Sequence, residues 1–449
     1  MIALHNSPTV SGMSPISWND ETVAHLYRRA AFGATADELD RAFREGLEAT
    51  VDRLVNYDSV PNALLEQRIA AKKFDLNPQS RQSYIDIVRL WMFRMIYSAR
   101  PFEERMTFFW HDHFATSVRK VGESDLMAWQ CDLFRRGALG NFEQLCVAVA
   151  KDPAMQFWLD NFTNMKEHPN ENFARELLEL FTLGHGHYTE QDIMAAARAF
   201  TGWTLDRSVY PVVFMFVDAM HDHGTKTFLG QTGNWNGDDI IRIACSQFAH
   251  GQWMASKLFA YFAYDNPDQA VIDRLARVYM DSRREIRPLV QAILTSEEMY
   301  SPQAMWCRVR SPIEHVAMTC RMLELPDEVP SARDHLKRQG QLPFEPPDVS
   351  GWTGGLTWIT SAALLSRMNF ANEAVTTFDP ATFGVPSDPG QVVDAYLHQL
   401  GPLPVDAATR DMLIEYIAPD GRLSSGNLLL SRLRGLVHLI LSLPEWQLI

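Results

Sequence analysis

Two histidines flank an aspartate in Trp110-His111-Asp112-His113, the kind of side-chain set from which metal sites are built. If the helix that starts at Pro101 runs through this segment, Phe102, Met106, Phe109 and His113 share one face. His113 then turns to the core, while His111, about 200° round the helix, turns the other way. Such a pair could share one ion only if the helix stopped near Trp110. Two readings stay open: one buried, hydrogen-bonded histidine with one exposed histidine, or His113 pointing into an internal polar site.

The run Asn170-Glu171-Asn172-Phe173-Ala174-Arg175-Glu176 opens a helix, with Asn170 as its cap and Glu171 in its first turn. Phe173, Leu177, Leu180 and Phe181 form an apolar arc. Glu176 falls at the arc's edge, with Arg175 and Glu179 further round. Burial there would raise the Glu176 pKa and Arg175 would lower it, which is how acid–base and ligand groups are tuned. Ordinary pairing of Glu171 with Arg175, and of Arg175 with Glu179, explains the same charges structurally. In His221-Asp222-His223-Gly224, an extended backbone would point both imidazoles to one side, where they could share an ion. A polar surface loop is the competing reading, and Lys226 adds a cation nearby. Trp352 and Trp358 bracket Gly354-Gly355 after Pro346-Pro347-Asp348-Val349-Ser350-Gly351, so they either wall a ligand pocket or clamp the loop on the core.

The elements that position these groups are helices. Asn19 or Asp20 caps the first, Thr35 with Glu38 the second, and Pro101 suits a first helical turn. Apolar periodicity predicts further helices over 47–55, 82–98, 123–136, 141–150, 171–183, 190–200, 238–248, 252–263, 268–280 and 286–295. The last third adds 311–323, 360–375, 390–399, 407–417 and 426–442. The fold class is thus all-α, a multi-helix assembly with a minor β-hairpin near 205–230 and a long loop near 324–358. Arg287-Pro-Leu-Val-Gln-Ala-Ile-Leu and Arg434-Gly-Leu-Val-His-Leu-Ile-Leu echo one another, a pattern that two bundle halves could share. The expected division is an N-terminal extension over 1–19, a helical core over 20–375 and a C-terminal helical segment over 376–449 packed on it.

A net charge of -14 argues against nucleic acid, because phosphate binding needs a basic face. Five scattered cysteines without a C-x-x-C read as buried thiols. No run of eighteen apolar residues argues for membrane insertion. The first fifteen residues lack a leader pattern, so the expectation is cytoplasmic, or periplasmic and exported if a leader has been removed. Nucleotide-binding loops, the G-x-S-x-G elbow and H-E-x-x-H are missing.

Seven segments carry a family resemblance, in order: His25 to Thr35, Trp110 to Ser117, Pro169 to Gly184, Tyr188 to Asp192, Ala199 to Trp203, His221 to Gly230 and Pro346 to Trp352. On these the chain resembles the DUF1800 family, a bacterial and largely helical family. The resemblance implies a mostly α-helical fold and a neighbouring, sulfatase-like gene product as partner, but no agreed catalytic residue. From the residues, one functional expectation is a metal-dependent hydrolase whose pocket holds Glu176, Arg175 and His113 as catalytic groups. His221, His223, His113 and Glu176 would hold a divalent metal ion that activates water. The other is a non-catalytic binding or assembly protein acting with the sulfatase-like partner.

Overall fold

Local signals start most helices. Asn19 caps Asp20–Ala30 and Thr35 caps Ala36–Glu45, each in a reciprocal capping box with the third residue of its helix. Thr189, Asn236 and Ser311 do the same for Glu190–Ala199, Gly237–Cys245 and Pro312–Met322. Pro101 occupies the first turn of Pro101–His113, where its missing N–H costs nothing. The computed structural model describes residues 16–77 and 79–449. The expected extension over 1–19 therefore lies, through residue 15, outside the described residues.

The fold is all-α apart from two small antiparallel hairpins. Trp203–Asp206 pairs with Val213–Phe216, and Lys226–Phe228 pairs with Gln231–Gly233, so two ribbons stand where one was expected. The segment 324–358 is not one long loop. Ala332–Gln339 forms a helix within it and Gly355–Ile359 a 3-10 turn. The expected helix over 171–183 is α-helical only from Glu171 to Glu176 and continues as a π-helix over Leu177–Thr182. Its wider turn buries Leu178 and leaves Leu180 half-exposed, against the arc expected from regular helical spacing. Among the described residues, no helix is long and apolar enough to cross a membrane.

The buried apolar residues form two cores. One gathers the helices Asp20–Ala30, Leu47–Val55, Phe142–Ala150, Phe248–Phe262 and Ile286–Leu294; the other gathers Arg81–Tyr97, Pro312–Met322, Ser361–Thr377 and Gly426–Ser442. The two echoing segments thus sit in different cores. The Pro101–His113 helix runs between them, giving Phe102, Met106, Phe109 and Trp110 to the first and Phe108 to the second. That position explains why His111, expected to be exposed, is buried: the face opposite His113 meets a second core rather than water.

The seam between the cores is charged. Glu104 accepts from Arg135 at Nε (2.8 Å) and Nη2 (3.0 Å), and from the Trp91 indole at 3.0 Å. Arg105 lies 2.5 Å from Glu314 Oε1, with both side chains essentially unexposed. The other oxygen, Glu314 Oε2, accepts the Ser311 N–H at 2.7 Å, so one carboxylate both caps a helix and neutralises a cation across the seam. Burial alone would raise the Glu314 pKa, but Arg105 and Arg308 hold it at about 2. Removing one partner of a buried pair leaves the other charge uncompensated. Glu314→Gln is therefore expected to cost about 3–5 kcal/mol in urea unfolding. Asp394→Asn, which breaks the exposed Arg410 pair, is expected to cost less than about 1 kcal/mol. Equal losses in the two variants would contradict this account of the seam.

Candidate functional site

At the C-terminal end of the Pro101–His113 helix, four consecutive side chains each hold a different part of the chain. Trp110 Nε1 donates to Ala138 O at 2.9 Å. The Phe344 N–H donates to His111 Nε2 at 3.0 Å, which fixes a neutral imidazole with its proton on Nδ1. The Trp352 N–H donates to Asp112 Oδ1 at 3.0 Å. His113 Nε2–H donates to Phe181 O at 3.2 Å, at the end of the π-helix. His250 Nδ1 and Trp253 Nε1 serve the neighbouring carbonyls of Thr182 (2.9 Å) and Leu180 (3.1 Å). The π-helix thereby exposes three successive carbonyls, each met by a side-chain donor. Burial drives the pKa of His113 well below its ordinary value, and takes His111 to about 3 and His250 to about 4. These imidazoles are neutral structural groups.

Beside this helix end lies a cavity of about 480 Å³. Asp112 and His113 line one side, Lys257 and Tyr261 from Phe248–Phe262 another, and Arg308 and Glu314 the third. Trp352 and Trp358 wall it from the loop that the Asp112 hydrogen bond holds down, with Gly354 and Gly355 between them. Gly351 makes that approach possible: its φ is +85°, and a Cβ there would sit 2.9 Å from the Asp112 carbonyl oxygen and closer still to Oδ1.

Asp112 is the group with tuned acidity. Burial raises its pKa, while the Trp352 N–H, Lys257 and Arg308 pull it back, leaving it at about 6. Oδ2 takes no hydrogen bond from the described residues and is not sealed from the cavity. Burial lowers the Lys257 pKa, and the Asp112 charge opposes that shift. Such an arrangement can take up and return a proton near neutral pH while cations balance the charge.

The residues singled out from sequence do not share one site. His113 borders the cavity, but its Nε2 is spent on Phe181, and its Nδ1 is buried without a partner. Glu176 is half-buried outside the cavity lining; burial and Glu179 raise its pKa, Arg175 opposes, and Asp348 adds to the rise. Arg175 forks onto Glu190, with Nη1–Oε1 at 2.9 Å and Nη2–Oε2 at 2.8 Å, and reaches Glu171 at 3.4 Å. Glu179 instead meets Tyr188 at 3.1 Å and His185 at 3.3 Å, so the expected Arg175–Glu179 pair is replaced. His221 and His223 do lie together, with ring centroids 4.9 Å apart, as an extended backbone predicts. His221 Nδ1 donates to Thr201 O at 2.7 Å, while His223 meets Asp218 at 3.2 Å. Lys226 is buried, donating to the loop carbonyls of Asp222 and Gly224. Among the described residues, no group of three or more His, Cys, Asp or Glu side chains is placed to hold a metal ion. The expected set of His113, Glu176, His221 and His223 forms no such group: the three histidines answer to Phe181, Thr201 and Asp218, and Glu176 takes no hydrogen bond from the described residues.

Sequence reasoning singled out the tryptophan loop but passed over Asp112, Lys257 and Arg308. One signal was available. Lys257 is the lone charged residue of the Phe248–Phe262 helix, on a segment otherwise rich in apolar side chains.

A family model described as "Protein of unknown function (DUF1800)" matches residues 25–448. No curated protein and no solved structure matches the chain.

The neutral, buried His111 makes stability depend on pH. Its folded pKa is depressed from 6.5 to about 3, so between those values the unfolded chain binds a proton that the folded chain refuses. Stability from this group is present above pH 6.5 and is lost as pH falls, by about 1.4 kcal/mol per unit. In His111→Gln, the amide oxygen can still accept the Phe344 N–H. Urea midpoints measured from pH 7 to pH 5 should fall less steeply for this variant than for the wild type, by about one proton's worth. Parallel slopes would refute the assignment.

Proposed function

Because this chain belongs to the DUF1800 family, whose description assigns no function, we propose its activity from the cavity: an enzyme in which Asp112 is the general base. Asp112 Oδ2 takes a proton from water or a substrate hydroxyl, and Lys257 and Arg308 stabilise the negative charge that develops. Trp352 and Trp358 supply flat walls for the body of a small substrate. A single observation carries this reading: a carboxylate with one oxygen fixed by Trp352 and the other open to a walled cavity, its pKa raised to about 6. Hydrolysis is the reaction class proposed, since the same base activates water. The reading assigns no role to a divalent ion, because among the described residues no three His, Cys, Asp or Glu side chains are placed together to hold one.

One observation favours a second reading, an assembly protein acting with a sulfatase-like partner. Val209, Tyr210, Val213, Met215 and Phe216 on the Trp203–Phe216 hairpin are exposed and apolar, as partner-facing patches are. Met215→Glu with Phe216→Glu should abolish co-purification with such a partner while leaving the cavity untouched.

Turnover of chromogenic esters, glycosides and phosphodiesters by wild type and Asp112→Asn tests the enzyme reading. The variant is expected to lose about 10²–10⁴-fold in kcat. Activity needs ionised Asp112, so kcat/KM should fall on the acid side of about 6. In Lys257→Met the cation that holds the Asp112 pKa down is gone, and the acid limb should move to higher pH. Wild type and Asp112→Asn behaving alike on every substrate would sink the enzyme reading.

A further inference from the structure

The cavity's charges are unevenly used. Of its acidic groups, Glu314 is claimed by Arg105 and Ser311, Asp265 stands exposed at the rim, and Asp112 is the proposed base. Its cations are held by aromatic faces rather than by paired carboxylates, Lys257 over Trp253 and Arg308 over Tyr261. Arg308 and Lys257 make no salt bridge with the described residues. Arg308 spends Nη1 on the carbonyl of Tyr261, which leaves the Nε and Nη2 edge neither bonded nor sealed. That edge is the one with which a guanidinium grips an oxyanion bidentately.

Behind the floor the imbalance deepens. Arg28, Arg29, Arg105, Arg310 and Arg367 are all buried, and Glu314 is the buried carboxylate that faces the last four. Arg310 has no hydrogen bond at Nε, Nη1 or Nη2, Arg29 has none at Nε or Nη1, and Arg105 meets Glu314 through Nη2 alone. Aromatic faces take up part of the charge: Arg310 sits 3.8 Å from the Trp446 ring centroid, Arg28 3.8 Å from that of Trp306, and Arg105 4.7 Å from that of Tyr261. Guanidinium does not shed its proton in proteins, so this region stays positive at working pH. It does so inside a chain whose net charge is -14. A localised positive field in an acidic protein, opening through Arg308 into a walled cavity, attracts anions to that one place.

We infer that the cavity takes its ligand by an oxyanion group, a carboxylate, sulfate or phosphate, seated on the open edge of Arg308 with Lys257 across from it. The inference rests on taking this cavity as the working site, and it adds the substrate class to the proposed chemistry.

Cys307 supplies a reporter. It lines the cavity beside Arg308 and is exposed, its Sγ accepting from Arg29 Nη2 at 3.0 Å, while Cys131, Cys146, Cys245 and Cys320 are buried. The test is the rate of Cys307 alkylation in the full chain by iodoacetate, an anion, against iodoacetamide, its neutral analogue, at constant ionic strength. Glutathione provides the reference ratio. The expected iodoacetate-to-iodoacetamide ratio at Cys307 exceeds that of glutathione by about tenfold or more. Acetate, inorganic sulfate or inorganic phosphate should slow the iodoacetate reaction in wild type, and the most potent of the three identifies the oxyanion. Arg308→Gln leaves Arg29 beside the thiol, so it should lower the ratio and abolish protection by the three anions. Asp112→Asn removes a negative charge, so it should keep or raise the ratio even while it abolishes turnover. Loss of the acid–base reading would thus leave the anion result standing. A wild-type ratio at or below that of glutathione, with no protection by any of the three anions, overturns the inference.

Discussion

The end of the Pro101–His113 helix is the constraint on which the rest of the arrangement hangs. Four adjacent side chains there reach Ala138, Phe181, and Phe344 and Trp352, three separate stretches of the chain that lie on both sides of the seam between the cores. Because successive helical residues point about 100° apart, one turn of helix can address four neighbours at once. Its partners are backbone groups that regular secondary structure leaves unpaired: loop amides at Phe344 and Trp352, and a π-helix carbonyl at Phe181. Buried backbone groups of this kind must find a partner. The cavity is a by-product of that bonding, since the loop carrying Trp352 and Trp358 is held against the helix by Asp112.

Most of the helices were legible because their signals are local. Capping residues and apolar periodicity placed Phe142–Ala150, Gly237–Cys245, Pro312–Met322 and Gly426–Ser442 close to where they lie. What was not legible depends on neighbours distant in sequence. His111 carries no mark of burial in its own segment; Trp91, Phe344 and Trp352, which enclose it, come from two other regions. The π-helix was hidden for a similar reason. His113, His250 and Trp253 satisfy the carbonyls it exposes, so a wide turn that periodicity cannot foresee becomes tolerable.

The site was half legible. The segment Trp110 to His113 and the tryptophan loop both border the cavity, but within the first the sequence drew attention to the imidazoles rather than to Asp112. Imidazole and carboxylate attract a functional reading because of what they can do in isolation. In a low-dielectric interior those same groups are the ones most readily consumed in holding the backbone together. His113 and His221 were each consumed in this way, by Phe181 and Thr201, whereas Arg175 is taken up at the surface by the Glu190 carboxylate. Asp112 differs because only one of its oxygens is needed to anchor Trp352.

The useful question is therefore which polar atoms remain after the structural bonds are assigned. Asp112 Oδ2, the Lys257 ammonium and the outer edge of Arg308 remain, and all three groups border one cavity. Leaving them unpaired, with four arginines buried around one glutamate, costs folding free energy that apolar residues in the same places would not. A carboxylate oxygen, an ammonium and a guanidinium edge that border the same walled hollow form a constellation that regular packing does not require. The Asp112–Trp352 bond then has a double consequence: it builds the wall, and it holds one carboxylate oxygen while the other is left to the cavity.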